Sequence, residues 1–179
     1  MEKISTGSVD LNKWLGGDDA EIITAIYGPA GVGKTNFCMV ATASQARRGN
    51  KVIYVDTEGG FSAERFNQLC DEGLKNVLLL KPTTFEEQEQ AFHRLLREIK
   101  SKSINLIVVD GMTMLYRLEL AEAKNDKTKV GEINGKLARQ MRILAEISRK
   151  KNIPVLVTNQ VYSDFLSEEE IRAGKEAGV

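Results

Sequence analysis

Five short apolar runs constrain the fold more than any other feature of this sequence. They are Ile22–Tyr27, Val52–Asp56, Val77–Leu80, Ile104–Asp110 and Pro154–Thr158. Their near-continuous hydrophobicity, rich in β-branched residues, is typical of strands buried on both faces, as in a parallel sheet. Stretches with helical character lie between the runs, at Lys34–Arg48, Ala63–Leu74, Phe85–Ile99 and Lys136–Lys150. Strand alternating with helix predicts a single doubly wound α/β domain that spans residues 1–179.

Two segments do not follow this alternation. Leu118–Gly135 is polar and charged, and it is long for a connection inside a compact domain, so a functional or mobile loop is expected there. Val161–Val179 carries an acidic, helix-like cluster at Glu168–Glu170 and contains no further apolar strand.

The composition restricts the class of partner. The 25 basic and 25 acidic residues cancel, so no global field draws the chain to nucleic acid or to a membrane, and any polyanion contact needs a local patch. No apolar run approaches the roughly 18 residues that span a bilayer, and no signal-peptide core precedes the first strand. Cys38 and Cys70 are too few for a disulfide framework and fall in predicted helices. This favours two buried, inert thiols in a reducing, cytoplasmic compartment.

A glycine-rich turn joins the first predicted strand to the first predicted helix. It matches the pattern G-x-x-x-x-G-K-[ST] without departure over Gly28, Pro29, Ala30, Gly31, Val32, Gly33, Lys34 and Thr35, and Asn36 follows. Glycines let the backbone N–H groups of such a turn point at phosphate oxygens, and the next helix adds its positive N-terminal end. The lysine of the pattern reaches the β- and γ-phosphates, and the hydroxyl ligates Mg²⁺. The turn therefore predicts a binding site for a nucleoside triphosphate with Mg²⁺.

Polar residues also end three other predicted strands, at the sheet edge where ligands bind in such folds. Asp110 has the form of the acidic residue that orients the Mg²⁺ hydration shell. Glu58 is a candidate general base for an attacking water, and a solvated turn carboxylate is the equal alternative. Gln160 is a candidate sensor of the γ-phosphate, with a structural amide as the alternative.

These motifs together resemble the RecA superfamily of P-loop ATPases, and specifically its archaeal and eukaryotic branch. Residues 4–17 look like the entry to the ATPase core of the archaeal recombinase RadA, and residues 54–61 with Glu64 and Arg65 are similar to the catalytic segment of the family. Residues 109–117, 139–140 and 157–161 follow in the family's order and spacing. Because the N-terminal helical domain and linker peptide of the full recombinases are not present, the chain is most similar to RadB, the short archaeal paralogue of RadA.

The resemblance implies roles at the nucleotide site. Lys34 and Thr35 would hold the phosphates and Mg²⁺, and Asp110 would be the second Mg²⁺ anchor. Glu58 would activate water, and Arg65 matches an arginine that stacks beside the adenine.

The resemblance also implies contacts with DNA. Gln160 matches the residue that links the γ-phosphate to the second DNA loop, and Tyr116 and Arg117 open the first. An aromatic residue beside a cation suits unpaired strands, and an aromatic that covers the core beside a surface arginine is the alternative. The second-loop region, Val161–Val179, holds five acidic residues against Arg172 and Lys175, which is unfavourable for phosphate contacts. Binding of single-stranded DNA is therefore expected to be weak.

The expected function is that of an ATP-binding, weakly hydrolysing accessory protein of homologous recombination and DNA repair. Its expected partners are DNA and a RadA-type recombinase or another recombination protein, and the resemblance allows a homo-oligomer. Two alternatives stay open. One is a filament-forming, DNA-dependent recombinase, and the other is a single-domain ATPase regulator of the circadian-clock type without a DNA role.

The resemblance finally implies the sheet order 3-2-4-5-1, counted along the chain, with the phosphate-loop strand at one side. In the family, further C-terminal strands pair beyond that strand, and none is legible here. Ile22–Tyr27 would then be an unprotected edge, without the charges, prolines or bulges that discourage aggregation. We therefore expect the natural protein to be longer by roughly one small layer of strands.

Overall fold

The computed structural model of this protein describes residues 3–15, 18–19, 22–101 and 103–161. The predicted acidic cluster Glu168–Glu170, with most of the second-loop region, lies outside the described residues. Near the N-terminus, the two-residue strands β1 (Lys3–Ile4) and β2 (Asp18–Asp19) pair antiparallel, and helix α1 (Val9–Leu15) lies between them in the chain.

The central sheet contains five strands. They are β3 (Ile23–Gly28), β4 (Lys51–Asp56), β5 (Val77–Leu80), β6 (Ile104–Asp110) and β7 (Val155–Gln160). They lie in the order β5-β4-β6-β7-β3, and every pair is parallel. This is the expected order 3-2-4-5-1, which is therefore confirmed, and each strand lies within two residues of its predicted bounds.

Helices cover both faces of the sheet. They are α2 (Lys34–Arg47), α3 (Ala63–Leu69), α4 (Phe85–Ser101), α5 (Met114–Glu122) and α6 (Lys127–Lys151). Alternate residues of β4 face opposite layers, as the two-residue period of a strand requires. Ile53 and Val55 pack in the cluster that includes α4 and α6, whereas Val52 and Tyr54 pack in the cluster that includes α2 and α3. The doubly wound α/β architecture is thus confirmed.

The prediction of a loop at Leu118–Gly135 is wrong, because most of that segment is helical. Helix α5 ends at Glu122, and α6 begins at Lys127 after Asp126, whose carboxylate caps it by accepting from the backbone N–H groups of Thr128 (3.0 Å) and Lys129 (3.1 Å). Both helices are held by a small third cluster of buried residues: Phe85, Leu115, Ala123 and Ile133. Leu120 and Val130 are partly buried against this cluster, and the other residues of the segment outside it are exposed.

The predicted helix Ala63–Leu74 is shorter than expected. It ends at Leu69, Cys70 is extended, and a 3₁₀ turn follows at Gly73–Asn76. A Cβ at Gly73 would lie 2.5 Å from the Cys70 sulfur, so the chain can turn this closely only because residue 73 is glycine.

The two cysteines are buried and free, as predicted. Cys38 lies on α2 against the sheet, and burial raises the pKa of its thiol well above the ordinary value. Among the described residues, no helix has the length and apolar character needed to cross a membrane.

Candidate nucleotide-binding site

The glycine-rich turn connects the end of β3 to the start of α2. Gly31 (φ 78°) and Gly33 (φ 94°) are in the left-handed region of backbone space, which is strained for other residues and open to glycine. Gly33 is the N-terminal cap residue of α2. The turn therefore lies at the positive end of a 14-residue helix, where anions are stabilised.

The Lys34 side chain folds back onto this turn and is hydrogen-bonded to it. Its side chain is nearly buried, with 8% of the residue exposed. The Nζ atom donates to the backbone carbonyls of Gly28 (3.0 Å) and Pro29 (2.8 Å). The ammonium group thus already lies against the loop whose N–H groups are suited to phosphate.

A cavity of about 290 Å³ opens beside the turn. Its lining brings together residues that are distant in the sequence: Ala30, Gly31, Gly33, Lys34, Thr35, Asn36, Glu58, Gly60 and Gln160. The remaining loop positions, Gly28, Pro29 and Val32, are not among the lining residues, and the Val32 side chain is exposed. Four side chains with predicted roles, Lys34, Thr35, Glu58 and Gln160, therefore share one cavity.

Asp110 is fully buried at the end of β6. Its Oδ2 accepts from the Tyr54 hydroxyl (2.8 Å) and its Oδ1 accepts from the Thr158 hydroxyl (2.6 Å). These donors come from β4 and β7, the two strands that flank β6. Burial raises the pKa of Tyr54 far above its ordinary value, so the phenol keeps the proton that it donates.

Glu58 lies on a turn that is held by hydrogen bonds on both sides of it. The buried Asp56 carboxylate accepts from the N–H groups of Gly60 (3.1 Å) and Phe61 (3.0 Å), and the Thr57 hydroxyl donates to the carbonyl of Gly111 (2.7 Å). Gly111 has φ 89°, and a Cβ there would lie 2.4 Å from the Thr57 hydroxyl oxygen. The turn after β4 and the turn after β6 thus form one unit.

The electrostatic surroundings of Glu58 favour its protonated form. Partial burial raises the pKa of its carboxyl, and the negative charges of Asp110 and Asp56 raise it further, while Lys34 opposes the shift. A carboxylate with a raised pKa is the better proton acceptor, which suits a general base.

The end of β7 is tied to the start of α5. The side chains of Thr113 and Asn159 are hydrogen-bonded, and the N–H of Met112 donates to the carbonyl of Thr158 (3.0 Å). Gln160 follows and lines the cavity. Its position is therefore fixed by the turn after Asp110 as well as by its own strand.

The three remaining predicted residues do not line the cavity beside the glycine-rich turn. Arg65 is exposed on α3, in the first turn after the cap residue Ser62, and does not line the cavity. Tyr116 is half-buried, packs edge-on against Phe85 at 6.0 Å between ring centroids, and donates to Asn134 (2.9 Å). Arg117 is exposed and lies beside Glu58 and Gln160, with which it lines a small cavity of about 10 Å³.

Sequence reasoning missed the residues that hold the site residues in place. They are Tyr54, Asp56, Thr57, Gly111 and Thr158. Asp56, Thr57, Gly111 and Thr158 each lie within two residues of a predicted site residue at the end of a strand, whereas Tyr54 lies four residues before Glu58. That proximity was the available signal, and only the pairing of the strands shows which group each one contacts.

The Rad51 family model matches residues 1–177 of the chain. The chain belongs to the Rad51 family.

This Rad51-family chain has several relatives that share one name. It is 43% identical over 156 residues to a "DNA repair and recombination protein RadB" of Methanococcus maripaludis, a match that covers 84% of this chain and 70% of the relative. Proteins with the same name match from Methanosphaera stadtmanae, with 38% identity over 90% of this chain and 69% of the relative, and from Methanococcoides burtonii, with 35% over 93% and 73%. The expected similarity to RadB is confirmed.

The residues of this Rad51-family chain fit a magnesium nucleotide. Among the described residues, no group of three or more His, Cys, Asp or Glu side chains forms a self-sufficient metal site. Mg²⁺ does not require one, because it is usually held by one or two carboxylates together with waters and substrate phosphates. Thr35, which lines the cavity, offers a hydroxyl oxygen for such a site, and Asp110, the buried last residue of β6, offers a carboxylate.

Proposed function

We propose that this chain binds ATP with Mg²⁺ and hydrolyses it slowly, as an accessory protein of DNA repair and homologous recombination. The observation that carries the proposal is the shared cavity of Lys34, Glu58 and Gln160, open to the glycine-rich turn. The RadB name of the relatives supports the recombination role.

In this proposal each side chain has a separate task. Lys34 exchanges its two carbonyl partners for the β- and γ-phosphates, and the N–H groups of the turn bind the remaining phosphate oxygens. Thr35 and Asp110 hold Mg²⁺, which when bound offsets the negative charge of the phosphates. Glu58 accepts a proton from the attacking water, and Gln160 contacts the γ-phosphate. Arg65, on the exposed face of α3, is assigned to the adenine.

Contact with DNA is assigned to the start of α5, through Arg117 and Tyr116. The Tyr116 ring is engaged by Phe85 and its hydroxyl by Asn134, so charge at Arg117 is expected to contribute more than stacking. Together with the zero net charge of the chain, this supports weak, salt-sensitive binding of single strands. A RadA-type recombinase is the proposed protein partner, and a pull-down that compares wild type with Lys34→Ala tests whether the partner requires bound nucleotide.

The nucleotide assignment is tested by calorimetry with Lys34→Ala. The variant removes a cation in contact with the loop carbonyls, and loss of charge-assisted hydrogen bonds of this kind weakens binding by about 10- to 100-fold. Lys51→Ala is the control, because Lys51 is exposed at the opposite end of the sheet, at the first residue of β4. Equal ATP affinity in Lys34→Ala and wild type would contradict the proposal.

A further inference from the structure

The surroundings of Asp110 show a feature that burial alone does not require. Among the described residues, no lysine or arginine forms an ion pair with this fully buried carboxylate. Its two oxygens are instead occupied by two separate hydroxyl donors, Tyr54 and Thr158. One donor on each oxygen restricts rotation of the carboxylate about its bond to Cβ.

The strand register puts the three side chains on one face of the sheet. Tyr54 is in register with Val108, two residues before Asp110, and Val109 is in register with Val157, one residue before Thr158. Because side chains alternate along a strand, Tyr54, Asp110 and Thr158 share the face that α2 covers. The glycine-rich turn leads into that same helix.

The Tyr54 ring is itself fixed. It packs edge-on against Phe61, with ring centroids 4.8 Å apart, and the N–H of Phe61 is held by the Asp56 carboxylate. The residue is fully buried, so phenylalanine would fill the same space. The hydroxyl is therefore the one part of Tyr54 that packing does not explain.

We propose that the Tyr54 hydroxyl is a positioning group for the magnesium site, acting through the orientation of the Asp110 carboxylate. Thr158 performs the same task on the other oxygen. The inference rests on the proposed function, since it assigns a task within the same site. It predicts that removal of the Tyr54 hydroxyl weakens metal binding and leaves metal-free contacts between the loop and the phosphates unchanged.

The test uses Mn²⁺ as the probe, with its affinity measured by electron paramagnetic resonance in the presence of a non-hydrolysable ATP analogue. In Tyr54→Phe, loss of one hydrogen bond to a charged group is expected to lower Mn²⁺ affinity by about tenfold. The affinity of the analogue in EDTA, measured by calorimetry, is expected to be that of wild type. Tyr27→Phe is the matched control. It removes the same hydroxyl group from a residue that is 71% exposed on β3 and that has no assigned role in the magnesium site.

A second pair of variants separates positioning from mere packing. In an Asp110→Asn background, Tyr54→Phe should cause no further loss of Mn²⁺ affinity, because a group that acts through Asp110 has nothing left to orient. Thr158→Val should repeat the tenfold loss with the aromatic cluster intact. Wild-type Mn²⁺ affinity in Tyr54→Phe and Thr158→Val, or an equal loss of analogue affinity in EDTA, overturns the inference. Failure of wild type itself to bind the analogue overturns the proposed function instead.

Discussion

A single methyl group at Gly111 would disturb Glu58. A Cβ at residue 111 would lie 2.7 Å from Cγ of Glu58, and the backbone there has φ 89°, which side-chain-bearing residues rarely adopt. Gly111→Ala is therefore expected to displace the turn that carries Glu58, lowering ATP hydrolysis by about 10²-fold through loss of the general base. Nucleotide affinity should change little, because the atoms nearest to a Cβ at residue 111 belong to Thr57 and Glu58 and not to the turn of Gly28–Lys34.

Steady-state turnover and calorimetry on the same preparation check this expectation. Gly131→Ala is the control, since that glycine lies within α6 and a Cβ there meets no atom within 4 Å. The control should gain up to about 1 kcal/mol of stability from helix propensity and keep its turnover. Wild-type turnover in Gly111→Ala would remove the proposed coupling between the two turns.

Glu58→Gln should retain ATP binding and reduce hydrolysis by about 10²- to 10⁴-fold, because glutamine cannot accept the proton of the attacking water. The raised pKa of Glu58 adds a pH dependence. The base works only when ionised, so wild-type turnover should fall as the pH drops through a value above that of an ordinary glutamate. Glu64→Gln, on the exposed surface of α3, should keep both the rate and this acid limb. If Glu58→Gln hydrolyses ATP as fast as wild type, Glu58 has no part in the mechanism.

The sequence alone predicts those candidate site residues that belong to a contiguous motif or end a strand. Lys34 and Thr35 follow from the spacing of the glycine-rich turn, and Asp110 from the polar end of an apolar run. Tyr54 could not be found in this way. It reads as one more apolar position of β4, and its partner is 56 residues away, so its role depends on which strands are neighbours.

At the scale of elements, helices α5 and α6 are where the sequence misled. The segment between Glu122 and Lys136 is polar, and Gly131 and Gly135 weaken its helical signal. The structure shows that α6 begins at Lys127, capped by Asp126. A few contacts to Phe85 and Leu115 stabilise it, and such tertiary contacts cannot be read from local propensity.

The prediction for DNA concerns Arg117, near the start of α5. Arg117→Glu is expected to weaken binding of labelled single-stranded DNA and to reduce the slope of log affinity against log salt by about 1, as loss of one phosphate contact requires. ATP affinity should stay close to that of wild type. Lys51→Glu makes the same change in net charge at the first residue of β4, at the opposite end of the sheet, and serves as the control.

Fluorescence anisotropy over a series of salt concentrations decides the matter. Equal weakening in Arg117→Glu and Lys51→Glu would mean that only net charge is sensed. Undiminished binding in Arg117→Glu would contradict the assignment of the start of α5 to DNA, and the regulator without a DNA role would then be favoured.

At the scale of the whole molecule, the strand order was implied by the resemblance, and the structure confirms it. The near-continuous hydrophobicity of β6 matches its central position, because it pairs with β4 on one side and β7 on the other. Strand β3 pairs only with β7 among the described residues, and Ala25 and Tyr27 on it are exposed. The expectation that the natural protein is longer and carries further strands beyond β3 stays a prediction.

Because Cys38 is buried, the rate at which it is alkylated reports how often the structure around it opens. This thiol is fully buried on α2, the helix that carries Lys34, and its pKa is raised, so an alkylating reagent reacts with it only during transient opening. A ligand that binds only the closed form lowers the open fraction by a factor of 1 + [L]/Kd, where [L] is the free ligand concentration and Kd its dissociation constant. At an ATP concentration about 100 times Kd, alkylation of Cys38 should therefore slow by about 100-fold. At the same ATP concentration, mass spectrometry of the labelled peptide should show protection of only about 2- to 11-fold in Lys34→Ala, as the weaker binding expected for that variant requires, although the variant leaves the cysteine untouched.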